Sequence, residues 1–239
     1  MAPTTVVPRW HERPQSWFAL ACVIVIAAFW PPFFSTLGTI DRAHLLHGLT
    51  ATAWMGIPVA QALLISRGYA RAHRWLGRAT LAFAMLFVAS GLHMVQLMVI
   101  PYPVDHLAVR LKFVFLDLVA LALFVGFLVT AVIEVRRGNV RAHARYMAST
   151  VLFALEPALE RVFIFYVPGV DGFEPALYLA LTSMEIIVAI LLFVDWRRTG
   201  RLARPFVITL AFFIAIHVLA TPVASIPAFE RFSVWYAHL

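Results

Sequence analysis

Seven apolar stretches, each about long enough to cross a bilayer, constrain this chain more than any other feature of its sequence. A transmembrane helix needs about 20 consecutive apolar residues, and short polar or arginine-rich segments separate the stretches. They lie at 17–34, 43–66, 75–99, 108–134, 146–167, 173–195 and 205–225. The sequence therefore predicts an all-α integral membrane bundle of seven transmembrane helices, forming a single domain over 1–239.

The composition excludes several classes of protein. Hydrophobic residues make up 62% and charged residues 13% of the chain, and its mean hydropathy is +0.87, so it has too little polar surface for a soluble globule. The net charge of +7 comes from arginine clusters between apolar stretches, which argues against nucleic-acid binding. The single cysteine, Cys22, excludes internal disulfides, thiolate zinc sites and iron–sulfur clusters.

The basic residues at the ends of the spans predict the orientation. With the N-terminus in the cytoplasm, 14 of the 19 lysines and arginines fall on the inner side and 5 on the outer side. We therefore expect an N-in, C-out protein with a cytoplasmic leader at 1–16 and an extracytoplasmic tail at 226–239. The first span is followed by Trp30, Pro31 and Pro32 rather than by a cleavage site, so we expect it to be retained as a helix.

Two of the arginine-rich loops indicate an internal repeat. Residues 67–73 (RGYARAH) and 137–143 (RGNVRAH) match at five of seven positions, 70 residues apart, and residues 198–204 are a candidate degenerate third copy. This pattern suggests one helix followed by three αα-hairpins. At the same offset, His47 corresponds to Asp117.

Ionisable residues inside the spans are the main candidates for function, because each costs about 2.5–3.5 kcal/mol at the bilayer centre. Helical rise places His47, His93, Asp117, Glu160 and His217 at one depth, roughly 5–15 Å below the outer surface. Glu156 and Glu160 are one helical turn apart with Pro157 between them, which should free a backbone carbonyl. We expect a polar pocket that opens towards the outer face.

Imidazoles and carboxylates at one depth form the ligand set of a transition-metal site. The predicted ligands of a zinc, iron or manganese ion are His44, His47, His93, His217 and Glu160. Haem b, with His47 and either His93 or His217 as axial ligands, is a less favoured alternative. Pairing of these residues with one another and with Arg161 would instead give a purely structural role. Retinal is disfavoured because the only lysine, Lys112, does not lie in the last helix.

His73 and His143 stand in the arginine-rich loops. Contact with lipid headgroups or helix ends is the favoured interpretation for both, and an inner anion site with Arg71 and Arg141 is the alternative.

Several motifs together resemble a known family. They are His44-Leu45-Leu46-His47-Gly48, Trp54, Gln61, His73-Arg74-Trp75-Leu76-Gly77-Arg78 and the segment from Arg137 to Met147. This pattern resembles an uncharacterised bacterial family of seven-helix predicted membrane proteins, best over the second to fifth helices. The resemblance implies the fold, the topology and a bacterial inner membrane, and it implies no activity.

Three classes of function follow from these residues. The favoured one is a metal- or haem-dependent membrane enzyme, oxidoreductase-like, that acts on a lipophilic substrate, with Glu156, Glu160, Asp117 and Arg161 as catalytic groups. A proton-coupled transporter or ion relay is the alternative, with Glu185 and Glu134 continuing the proton path. A metal-free acid/base isomerase or cyclase, or a non-catalytic assembly protein, also stays open, and the sequence does not indicate an oligomeric state.

Overall fold

The structure, a computed structural model, describes residues 14–99 and 106–239, and every helix in these ranges is α-helical apart from one short 3₁₀ turn at Phe34–Thr36. The leader up to residue 13, with Arg9 and Arg13, lies outside the described residues. The helices are α1 Pro14–Ala28, α2 Arg42–Ser66, α3 Ala70–Val99, α4 Leu107–Arg136, α5 Val140–Tyr166, α6 Phe173–Thr199, α7 Arg204–Ala224 and α8 Pro227–Ala237.

Five of these helices, α2, α3, α4, α6 and α7, are long and apolar enough to cross a membrane. The all-α membrane bundle is therefore confirmed, whereas seven spans and their orientation remain predictions. The described part of α1 has only 15 residues. Helix α5 has 27 residues but carries five charged side chains, Arg141, Arg145, Glu156, Glu160 and Arg161, of which the two glutamates are fully buried.

Helices α4 and α5 lie at the centre of the bundle. They pack against each other, with α1, α2 and α3 on one side and α6 and α7 on the other. Trp54 of α2 is completely buried and stacks on Phe87 of α3, with ring centroids 5.7 Å apart, while Phe124 of α4 contacts it edge-on at 4.7 Å. This aromatic group joins three helices at the level just below the ionisable residues.

The two matching loops form the same turn. Gly68 and Gly138 adopt φ values of 79° and 78°, which favour glycine. The backbone N–H after each glycine donates to a carbonyl five residues earlier, Tyr69 to Leu64 at 2.8 Å and Asn139 to Glu134 at 2.9 Å. The sequence match between these loops is therefore matched by their backbone geometry. The third loop reaches its left-handed glycine, Gly200, with a different hydrogen bond, from Gly200 N to Trp196 O.

Side chains also fix the ends of the helices. Asp41 caps α2 by accepting from the N–H groups of Ala43 and His44 at 3.0 Å each. The N–H of His44 holds the pKa of the Asp41 carboxyl below its usual value. At the opposite end of the bundle, Arg145 of α5 donates from Nε and Nη2 to Asp195 of α6, at 3.0 and 2.6 Å.

The segment that the sequence analysis treats as a tail, 226–239, forms α8. It packs against α3, α4 and α7. Gln96 donates to the carbonyl of Tyr236 at 3.3 Å, and the Tyr236 hydroxyl donates to the carbonyl of Leu92 at 3.1 Å. Burial raises the pKa of that hydroxyl. The tail therefore covers one end of the bundle.

A buried carboxyl cluster as the candidate functional site

Two glutamates of α5 form the centre of the candidate site. Glu156 and Glu160 are each only 1% exposed, and their spacing of four residues places them on one face of the helix. The two side chains lie close enough to interact with each other. Each also has one carboxyl oxygen, Oε1, without a partner among the described residues.

This contact has a direct chemical consequence. A carboxylate can only accept a hydrogen bond, so two neighbouring carboxyls can share one only when a proton lies between them. Two carboxyl groups that are buried side by side in a low-dielectric bundle cannot both remain ionised. The arrangement therefore favours a state in which the pair shares one proton enclosed by protein.

Arg161 and Asp117 complete the cluster. Arg161 donates from Nη1 to Glu160 Oε2 at 2.6 Å and to the carbonyl of Pro157 at 3.1 Å. Its guanidinium also lies over the ring of Phe29, 5.2 Å from the centroid, next to α1. Asp117 of α4 interacts electrostatically with both glutamates and with the arginine. One cation thus faces three carboxyl groups, which leaves an excess of acidic groups.

His47 lies at the edge of this cluster. It interacts electrostatically with Arg161, and its Nδ1 is 3.2 Å from the hydroxyl of Ser90 on α3. Its ring stacks on Phe87 with centroids 5.9 Å apart. The structure therefore brings together five of the predicted site residues, which are His47, Asp117, Glu156, Glu160 and Arg161.

The other predicted histidines lie apart from this cluster. His44 is exposed and pairs with Asp41 at 2.6 Å. His93 is exposed, with its Nδ1 3.1 Å from Gln96. His217 pairs with Glu185 of α6 at 2.8 Å. The predicted pocket layer thus divides into separate pairs, because each histidine points to a partner on its own or an adjacent helix.

The predicted metal ligands are consequently not assembled into one site. Within residues 14–99 and 106–239, no group of three or more histidine, cysteine, aspartate or glutamate side chains is placed to hold a metal ion. Glu160, the only carboxylate among the predicted ligands, already accepts a hydrogen bond from Arg161. The described residues therefore give no support to a metal site shared by His44, His47, His93, His217 and Glu160.

The predicted opening towards the outer face is also not seen at the cluster. Two surface depressions, of about 490 and 300 Å³, are lined by residues 68–72 with Trp75 and by residues 164–171. Neither is lined by a cluster residue. Glu134, which the predicted proton path includes, lies near the loop at the predicted inner end of α4, where it contacts Asn139 at 2.7 Å and Arg137 at 3.7 Å.

A second polar group on α4, α6 and α7 was missed by the sequence analysis. Lys112, only 5% exposed, donates to Glu174 and, at 3.4 Å, to the hydroxyl of Tyr178. That hydroxyl is 2.7 Å from the hydroxyl of Thr221 on α7. Lys112 is the only lysine in the chain, which could have marked it as a candidate site residue. No spacing in the sequence, however, indicates that it contacts Glu174.

The repeat would have located part of this group. His47 and Ser90 correspond to Asp117 and Glu160 at the 70-residue offset, and to Tyr178 and Thr221 when Arg198 is aligned with Arg67. The pairs His47–Ser90 and Tyr178–Thr221 are in hydrogen-bond contact, and Asp117 and Glu160 interact electrostatically. Each hairpin thus places a polar pair at the same level.

Comparison with other proteins gives no further assignment. No family model, no curated protein and no solved structure matches this chain.

Proposed function

We propose that this multi-pass membrane protein is a proton relay of the proton-coupled transporter class, with Glu156 and Glu160 as its proton-binding pair. The observation that carries the proposal is the placement of two fully buried, interacting glutamates one helical turn apart. Such a pair stores one proton and can release it when a neighbouring charge changes.

The closed surroundings of the pair favour a proton over a larger substrate. Both glutamates are 1% exposed, and the two depressions described above are lined by other residues. A lipophilic substrate would need an opening to reach these carboxyls. A proton needs only a chain of polar groups.

One face of α5 provides the start of such a chain. Ser149, Glu156 and Glu160 follow one another at helical spacing, with Phe153 between the first two, and all three polar side chains are buried. Ser149 Oγ, Glu156 Oε1 and Glu160 Oε1 each lack a partner among the described residues. Buried polar atoms of this kind occur where protons or water pass or where chemistry takes place. The stripe extends about 10 Å from Glu156 towards the arginine-rich loops.

Arg161 would set the direction of release. Its guanidinium stabilises the negative charge on Glu160 through the 2.6 Å contact, so that the proton resides on Glu156. Movement of the segment just after α1, where Phe29 covers the guanidinium, would change this balance. The orientation, with the N-terminus in the cytoplasm of a bacterial inner membrane, belongs to the same proposal and rests on the arginine distribution.

Proton flux in liposomes tests the proposal. The full chain would be reconstituted in liposomes that contain a pH-sensitive dye, and a potassium diffusion potential would be imposed. We expect a change of internal pH that Glu156→Gln abolishes. The matched control is Glu185→Gln, since Glu185 is a membrane glutamate that pairs with His217 outside the cluster.

Two results would refute the relay. One is a wild-type rate equal to that of empty liposomes, and the other is an unchanged rate in Glu156→Gln. An absence of flux, combined with a lipophilic substrate converted only when Glu156 is present, would assign the same pair to a metal-free acid/base enzyme.

A further inference from the structure

A pair of ionisable side chains on α6 and α7 is partly exposed within the membrane-spanning part of the bundle. Glu185 lies near the middle of α6, His217 lies in the second half of α7, and Oε1 of the first is 2.8 Å from Nδ1 of the second. The exposed fraction is 34% for the His217 side chain and 23% for the Glu185 side chain. Ionisable groups inside membrane spans almost always face a bundle interior or a water-filled cavity. A pair on the outward surface therefore indicates that protein, rather than lipid, covers it.

Within residues 14–99 and 106–239, no helix covers this surface. Helix α6 packs against α5 and α7, and α7 packs against α4, α5, α6 and α8. The residues one helical turn before and after the pair are exposed on both helices. With the pair itself they form a surface that we name the α6–α7 seam, which consists of Thr182, Glu185, Ala189, Ile214, His217 and Thr221.

Neighbouring side chains hold the imidazole of the seam in one orientation. The ring of Tyr178 packs against the ring of His217, with centroids 5.4 Å apart. The Tyr178 hydroxyl is 2.7 Å from the hydroxyl of Thr221 and accepts from Lys112 at 3.4 Å. The pair thus belongs to a fixed polar network, and the atoms that it turns outward keep a defined direction.

Each member of the pair retains one hydrogen-bonding atom for an external partner. Nδ1 of His217 and Oε1 of Glu185 bond to each other, and neither Nε2 nor Oε2 has a partner in the part of the chain that the structure describes. The pair is uncharged overall either as imidazolium with carboxylate or as neutral imidazole with carboxylic acid. In both forms Nε2 carries a hydrogen and Oε2 is an acceptor. The seam therefore presents one donor and one acceptor side by side.

We propose that the α6–α7 seam is the interface of a homodimer whose twofold axis runs along the membrane normal. Such a rotation leaves the depth of every residue unchanged and sets α6 of one copy against α7 of the other. Because Glu185 and His217 lie at one depth, Nε2 of each copy then donates to Oε2 of the other. One donor and one acceptor per chain are both satisfied, which selects a second copy of the chain as the partner. The small side chains of Thr182 and Ala189 let the helices approach closely.

The dimer is independent of the proposed proton relay. Each chain holds its own carboxyl cluster on α4 and α5, so proton flux per chain does not require the second copy. Dimer formation is in turn measured without any flux. The two proposals can therefore fail separately.

Disulfide cross-linking in native membranes tests the position of the interface. Cys22, the only cysteine, would be replaced by serine, and two full chains with different tags would be produced together. One carries Ala189→Cys and the other Ile214→Cys, which the twofold axis brings face to face at similar depth. We expect oxidation to link the two tags. The matched control pairs Ile214→Cys with Met85→Cys, which is exposed in the middle of α3, and should give no link.

Complementation between two variants tests the reciprocal hydrogen bonds. Glu185→Leu lacks the acceptor and His217→Leu lacks the donor, so neither variant can form the bond with itself. In a mixed dimer, His217 of the first variant donates to Glu185 of the second. We expect the mixed dimer to be about 3- to 20-fold tighter than either variant with itself, as one interhelical hydrogen bond provides. Energy transfer between labelled chains in liposomes, followed during dilution with lipid, measures this preference, which a purely structural role of the pair within one chain does not produce.

Three results would overturn the dimer. The first is equal cross-linking of Ile214→Cys to Ala189→Cys and to Met85→Cys. The second is equal affinity of the mixed and unmixed pairs of leucine variants. The third needs no substitution at the seam: bleaching of fluorescently tagged, otherwise unaltered chains in liposomes in single steps would show monomers and assign the seam to lipid, whereas two-step bleaching is the expected result.

Discussion

Substitution of the two central glutamates by glutamine separates the stability of the cluster from its function. Glu160 is ionically paired with Arg161 at 2.6 Å, whereas the partner of Glu156 is the other carboxyl. Glu160→Gln removes the charge that compensates the arginine. Glu156→Gln replaces a protonated carboxyl by an amide of the same shape that can donate to Glu160.

The expected magnitudes follow from burial. Breaking a fully buried ion pair by removal of one partner costs about 3–5 kcal/mol. Since 25% of the Arg161 side chain is exposed, solvent compensates part of this, and we expect Glu160→Gln to lower the free energy of unfolding by about 2–3 kcal/mol. The amide of Glu156→Gln can donate to Glu160, so we expect a change within about 1 kcal/mol.

Thermal unfolding in one detergent, followed by tryptophan fluorescence, measures both changes. A loss of about 2–3 kcal/mol corresponds to a fall in Tm of about 5–10 °C for a chain of this size. Glu156→Gln should show nearly the wild-type Tm and yet carry no proton flux. Equal destabilisation by the two substitutions would refute the assignment of the proton to Glu156, and so would a larger effect of Glu156→Gln.

Three further predictions concern the fold around the site. A Cβ at Gly48 would lie 2.2 Å from the buried ring of Phe33, so Gly48→Ala should destabilise the protein by about 1–3 kcal/mol. Gly56→Ala, with open space at its Cβ, should instead stabilise the protein by up to about 1 kcal/mol. Chemical denaturation in detergent compares the two variants, and equal effects would contradict the packing of α2. Arg145→Leu leaves Asp195 without its cation, so it should lower the unfolding free energy by about 1–3 kcal/mol and speed proteolysis of the loop near Gly200. The control Arg141→Leu, on the exposed surface, should change neither the unfolding free energy nor the rate of proteolysis. The pKa of Asp41 lies below its usual value. The α2 cap is therefore fully present at a pH above the usual aspartate pKa, and it is lost as the pH falls through the lowered pKa. The amide proton chemical shift of Ala43 should follow that titration in the wild type and stay constant in Asp41→Asn.

The sequence predicts the class of the fold well, because bilayer thickness and helical rise leave few alternatives. The predicted spans at 43–66, 75–99 and 108–134 differ from α2, α3 and α4 by at most five residues at either end. The first span ends earlier than predicted, since α1 stops at Ala28, before Pro31 and Pro32. The sequence did not reveal the helix within the tail, because the apolar residues of α8 are too few to mark a span, although they suffice to cover α3.

The site was predictable in part, and the reason is geometric. Depth along a helix can be counted from the sequence, so the common level of His47, Asp117 and Glu160 was found. Rotation about the helix axis and the choice of neighbour cannot be counted, and these place His93 in an exposed position and His217 beside Glu185. Equal depth was therefore a poor guide to a shared metal site.

The repeat explains why the acidic pair Asp117–Glu160 lies in the central hairpin. Each of the three hairpins places one polar pair at the same level. In chain order the pairs are His47–Ser90, Asp117–Glu160 and Tyr178–Thr221. The second hairpin, α4 and α5, packs against helices on both sides, so its pair is withdrawn from lipid, whereas the first and third hairpins lie on the flanks. Carboxyl groups at a flank position would face hydrocarbon, at a cost of about 2.5–3.5 kcal/mol each. Ionisable groups that must hold a proton are therefore best placed in the middle hairpin, and neutral hydroxyl or imidazole pairs suffice at the same level in the other two.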